Sequence, residues 1–149
     1  MTETPKHLLE LYLRHLAHRV KSAGKNLRTY SDEEHDLLII PDEVSAFCSS
    51  GPEACLQVVC DALAATSSPQ IIAAIGDGLL EDLLNGKATL LRREVAHQLR
   101  TSKKFRQAFA NGEYSSVPPE IVVEWVAIFQ QLGTSKEAER RSLWHEQPN

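Results

Sequence analysis

Histidines and cysteines have the widest chemical range in this sequence. His7, His15 and His18 fall on one amphipathic stretch, and the step from His15 to His18 puts both on one helical face. Such a cluster could hold zinc or relay protons. No acid or cysteine at ligand spacing completes it, and Arg14 and Arg19 stand alongside, so these read as surface or interface histidines. His35 sits among Asp32, Glu33, Glu34 and Asp36, where its charge is compensated; His97 lies on a basic helix. Cys48, Cys55 and Cys60 are odd in number and have no C-x-x-C spacing, which argues against a zinc finger or a disulfide framework. They read as reduced thiols, with Cys55 and Cys60 in a helix core. A Cys–His pair brought together only by folding stays open as one functional alternative. Gly76-x-Gly78 lacks the third glycine and the preceding strand of a dinucleotide site, and lacks the lysine of a P-loop. The sequence therefore names no catalytic residue, no metal ligand and no cofactor.

Charge is the second resource. The chain of 149 residues carries a net charge of −4, which weighs against general affinity for nucleic acid or an anionic membrane. The distribution is uneven. Residues 31–61 hold eight acids and no base, while residues 87–106 hold seven bases against Glu94 alone. Asp32, Glu33, Glu34, Asp36, Asp42 and Glu43 are the first candidates for a partner-binding surface, with Glu81 and Asp82 beside them. Lys87, Arg92, Arg93, Arg100, Lys103, Lys104 and Arg106 form the competing surface, with Arg93, His97, Arg100 and Lys104 along one helical face. A helix-turn-helix there would need a turn glycine near Thr101-Ser102, and none is present.

The elements that must position these groups are helices. Thr4-Pro5 reads as a hydroxyl N-cap followed by proline in the first turn, opening a helix over 5–22 with Leu9, Tyr12, Leu13, Leu16 and Val20 at helical spacing. Ser31 to Glu34 has the capping-box pattern, and Leu37 to Ile40 reads as helix rather than strand. Pro41, Pro52 and Pro69 each open a further helix, the second over 52–65. Gly76-Asp77-Gly78 reads as a sharp turn, with Asp77 as the next N-cap, and Asn85-Gly86 as a stop. Helices over 87–100, 102–110, 119–132 and 135–144 complete the chain. The expectation is an all-α fold of seven to nine helices, either a bundle or a short stack of helical hairpins with antiparallel neighbours. One domain spans 1–149: an N-terminal helix in 1–30, a core in 31–133, and a peripheral helix and tail in 134–149. The core should be built from Leu13, Leu16, Val59, Leu63, Ile75, Leu80, Leu83, Phe105, Phe109, Trp125 and Phe129.

The stretch Gly76-Asp77-Gly78-Leu79-Leu80-Glu81-Asp82-Leu83-Leu84 resembles the signature of a bacterial family of uncharacterised helical domains. Members carry a Gly-x-Gly-Pro-Leu-Glu-Asp-Leu-Leu-like stretch, preceded by a Pro-Glu-x-Ala-Trp-like helix start and followed by an Ala-x-x-x-x-x-Phe-Arg-like helix. Pro52-Glu53-Ala54-Cys55 stands in the first of those flanks, and Ala96 with Phe105-Arg106 in the second. Leu79 replaces the usual proline and Cys55 the tryptophan. The resemblance spans roughly residues 40–112 and implies a helical bacterial domain with no activity attached. No basic leader precedes an apolar stretch and no apolar run spans a bilayer, so a cytoplasmic chain without membrane contact is expected. The leading functional expectation is a non-enzymatic protein-binding module: an immunity protein or inhibitor that neutralises a basic toxin enzyme. A nucleic-acid-binding regulator using residues 87–106 is the alternative, and a small enzyme whose site is assembled by folding is the third.

Overall fold

The computed structural model describes residues 3–22 and 40–132. All regular structure among them is helical: α1 (Lys6–Lys21), α2 (Asp42–Ser49), α3 (Pro52–Ala64), α4 (Pro69–Ile75), a π-helical turn (Gly76–Leu80), α5 (Glu81–Thr101), α6 (Lys103–Phe109) and α7 (Pro119–Leu132). The expected helices around 31–40 and 135–144 lie outside the described residues. Because α4, the π turn and α5 run on without a break, the described residues form six separate helical segments rather than seven to nine.

Two corrections explain the lower number. Gly76-Asp77-Gly78 is not a turn between helices, and Asp77 lies inside the helical run rather than at its N-cap position. The backbone stays helical and widens by one residue into the π turn. A Cβ on Gly76 would lie 1.9 Å from the carbonyl oxygen of Ala108, so glycine is required there by the close approach of α6. Asn85-Gly86 does not stop the helix either. α5 continues through it with a kink at Lys87 (φ −135°, ψ 20°). The Asn85 side chain is bonded elsewhere, and Gly86 has open space around its Cα. A third correction concerns the first helix. Thr4 does not cap it; Pro5 precedes it in an extended conformation (φ −53°, ψ 134°). The backbone N–H of Thr4 instead donates to Asp61 Oδ2 at 2.9 Å, tying the start of α1 to α3.

The described residues divide between Ala74 and Ile75 into two compact units. In the first, α1, α2 and α3 enclose Leu8, Tyr12, Leu16, Val44, Leu56, Val59 and Leu63. Tyr12, not Leu13, is the inward residue of α1: Tyr12 is buried and Leu13 only half-buried. The other ten expected core residues are buried. In the second unit Phe109 is the hub. Its ring stacks on Tyr114 at 4.6 Å and meets Trp125 edge-on at 6.0 Å. The Trp125 indole is fully buried, and its Nε1 donates to the Arg92 carbonyl at 3.2 Å. Burying so large a ring without leaving its N–H orphaned is the usual requirement for tryptophan.

Helices α5 and α7 run parallel. Glu81 meets Glu113, Asn85 meets Ser116 and Arg92 meets Glu124, so eleven residues of advance along one stretch match eleven along the other. No short connection joins the two: α6 carries the chain back toward the π turn before α7 begins, which lets α7 run in the same direction as α5.

Candidate functional site

The acidic candidates separate by burial. Asp32, Glu33, Glu34 and Asp36 lie outside the described residues. Asp42 and Glu43 stand exposed in the first turn of α2, and Glu53 exposed in the first turn of α3. Acids are favoured there by the exposed N–H groups and positive pole of a helix start. Pro41 precedes the one helix and Pro52 opens the other, so both begin where proline lacks nothing a first turn needs. Asp61, also in the acidic block, is spent internally: it accepts from Thr4 N–H and, through Oδ1, from Gln57 Nε2 at 2.8 Å.

Glu81 and Asp82 do not act as a pair. Glu81 is half-buried, and its Oε1 accepts the backbone N–H of Glu113 at 2.7 Å. Asp82 is exposed. One turn on, Asn85 grips the same loop from both sides. Its Nδ2 donates to the Glu113 carbonyl at 2.8 Å and to the Glu81 carbonyl at 3.0 Å, and its Oδ1 accepts the Ser116 N–H at 3.0 Å. The conspicuous stretch from Gly76 to Gly86 is thus largely a structural device. Gly76 admits α6, Leu80 and Leu84 fill the core, and Glu81 with Asn85 latches residues 113–116. Tyr114 at the centre of that loop donates its hydroxyl to the Phe109 carbonyl. Burial, reinforced by the Glu81 carboxylate, pushes that hydroxyl well above the ordinary tyrosine range.

The basic candidates also separate. Arg93, His97 and Arg100 are exposed on one side of α5, and Lys103 is exposed at the start of α6. Lys104 is half-buried. Arg92, on another face, pairs with Glu124 of α7. Arg106 is turned inward to cap α5, with Nη1 donating to the Leu99 carbonyl at 2.9 Å. The two helices are joined through Ser102, whose hydroxyl accepts the Phe105 N–H at 3.1 Å as the N-cap of α6.

The histidines do not converge. His15 is buried against Tyr12 with ring centroids 6.3 Å apart, His18 lies 3.3 Å from the Ser22 hydroxyl, and His7 is exposed. Among the described residues no group of three or more His, Cys, Asp or Glu is placed to hold a metal ion. No helix among them is long and apolar enough to cross a membrane. The cysteines are less uniform than their spacing suggests. Cys60 is held by burial and by neighbouring Asp61 at a pKa of about 11, which makes it a poor nucleophile. Cys48, half-buried in the last turn of α2, takes a hydrogen bond from the buried Cys55 thiol in the first turns of α3. That bond lowers the Cys48 pKa against the opposing effect of its own partial burial. Cys55 is buried in the core, as its helical spacing predicts; its influence on Cys48 is not legible in that spacing. The available signal was the placement of both residues around the Ser50-Gly51-Pro52 break. Compared with protein-family models, with curated proteins and with solved structures, the chain matches none.

Proposed function

We propose that the chain is a bacterial, cytoplasmic, non-enzymatic protein-binding module that inhibits a basic partner, with a toxin enzyme as the partner class. One observation carries the reading: Asp42, Glu43 and Glu53 project from two helix starts within a thirty-one-residue stretch that has no basic residue. An acidic surface of this kind speeds encounter with a basic protein and repels acidic competitors. Isolation of the endogenous partner tests it. The tagged chain should capture a stoichiometric basic protein in a salt-sensitive manner. Replacing Asp42 and Glu43 with lysine should slow association roughly tenfold or more at low salt. Capture of no partner, or an association rate indifferent to that charge reversal, overturns the reading.

The exposed residues Arg93, His97 and Arg100 of α5 and Lys103 of α6 favour one second reading, a regulator that binds nucleic acid through these two helices. Binding through phosphates weakens steeply with salt, by a log–log slope of roughly 0.9 per neutralised phosphate on duplex DNA. A mobility shift at low salt that disappears in Arg93→Glu with Arg100→Glu supports it; no shift at low salt removes it.

A further inference from the structure

We propose that the outer face of α5 is a docking site for the outer face of α2 in a second copy of this chain, the two helices meeting antiparallel. The α5 side is a single row. Leu90, Arg93, His97 and Arg100 follow at steps of three, four and three, which keeps them on one side of a helix. All four are exposed. Leu90 is 64% exposed, so the row combines one large apolar side chain in solvent with two fixed cations and a histidine. Arg92 and Arg106 are engaged within the fold and take no part.

The same chain carries a face that complements this row. The exposed residues of α2 are Asp42, Glu43, Ser45, Ala46 and Ser49: two acids, then only small side chains. The Ser49 hydroxyl donates to the Ser45 carbonyl at 2.9 Å, so it lies back on its own helix and requires no outside partner. The lengths agree. Asp42 and Ser49 are seven residues apart, as are Leu90 and His97, about 10.5 Å of helix in each case. Set antiparallel, Ala46 and Ser49 lie over Leu90 and the two acids fall between Arg93 and Arg100. The parallel setting would put the acids on Leu90 and leave Arg100 unmatched. A nucleic acid on the same row would leave Leu90 facing phosphates, whereas the small side chains of α2 give it an apolar seat. Because unlike patches meet, the contact is heterologous and builds a ring or an open chain of copies. Such a contact goes beyond both readings of the function, and a basic partner at Asp42 and Glu43 would compete with it.

Sedimentation velocity of the purified, nuclease-treated full-length chain tests the proposal with no other protein present. The weight-average mass should rise with concentration at about 20 mM salt and return to the monomer value at about 500 mM, where charges are screened within a few ångströms. Arg93→Glu with Arg100→Glu should abolish the rise, and so should Asp42→Lys with Glu43→Lys. Mixing these two variants should restore it, since reversed face then meets reversed face and intact meets intact; recovery also shows that both are folded. Leu90→Ala removes a side chain exposed in the monomer and should weaken association about tenfold while leaving the unfolding curve in place. A wild-type mass that stays monomeric up to roughly millimolar concentration at low salt overturns the proposal. So does an oligomer indifferent to salt, or one that survives either charge reversal. Association that is present before nuclease treatment and absent after it assigns the row to nucleic acid and overturns it as well.

Discussion

Gly76 and Gly86 show how little a residue type says without its surroundings. By residue type both signal breaks in helical structure, yet both lie inside a continuous helical run. At Gly76 the reason for glycine is across the fold: any Cβ would enter the Ala108 carbonyl. Gly76→Ala should therefore destabilise the protein by about 1–3 kcal/mol despite alanine's better helix propensity. Gly86→Ala meets nothing within 4 Å and should gain up to about 1 kcal/mol. Urea unfolding of the two variants checks the pair, and equal effects would show that the Gly76 contact carries no strain. Titration acts at the same scale. The Tyr114 and Cys60 pKa values are both raised by burial, so each group holds its proton in the folded chain after the unfolded chain has released it. Their contribution is fully present below the unfolded pKa values and is lost as pH rises. For Cys60 the loss runs from about pH 9 to about 11; for Tyr114 it begins near pH 10. Stability should thus fall through that alkaline range, and Tyr114→Phe should flatten the fall above pH 10.

Elements were legible where one face met one core. The bounds of α3 and α7 fall within a residue of those expected, because Pro52 and Pro119 mark their starts and unbroken apolar stripes carry them. What the sequence hides is any bond between a side chain and a distant backbone. Asn85 resembles a helix stop, and nothing local reveals that its amide is occupied by Glu113 and Ser116. The Asp61 carboxylate looks like part of an acidic surface and instead anchors Thr4. The latch has a direct test. Asn85→Ala should cost about 1–2 kcal/mol through the groups it leaves unsatisfied. Its particular signature is faster hydrogen exchange at the Ser116 amide, with the amides deep in α7 little changed. A uniform change along the chain would mean that Asn85 serves general helix stability and not the loop.

At the scale of the molecule, the all-helical class and most of the core followed from apolar periodicity, since Leu16, Val59, Ile75, Phe105 and Trp125 are each buried as their spacing required. The direction of α7 beside α5 did not follow, because periodicity identifies an inward face without identifying its neighbour. Tyr114 was missed for a related reason: it lies in a loop, where no periodic pattern exists to mark it as core. Trp125→Ala should cost about 3–5 kcal/mol, since it empties a fully buried indole site beside Phe109. Chemical denaturation measures the loss. Hydrogen exchange at Leu56 and Val59 in the same variant reports whether residues before Ala74 share it, as the single cooperative domain expected from the sequence requires.

The parallel register of α5 and α7 has a mechanical consequence. A force applied between Glu81 and Leu132 draws the two helices past one another lengthwise. The Glu81–Glu113, Asn85–Ser116 and Arg92–Glu124 links then resist together. A force between Glu81 and Pro119 parts the two starts and meets the same links one after another. This half of the chain is therefore anisotropic under tension, stiff along its helices and easily peeled from the end where the Asn85 latch sits.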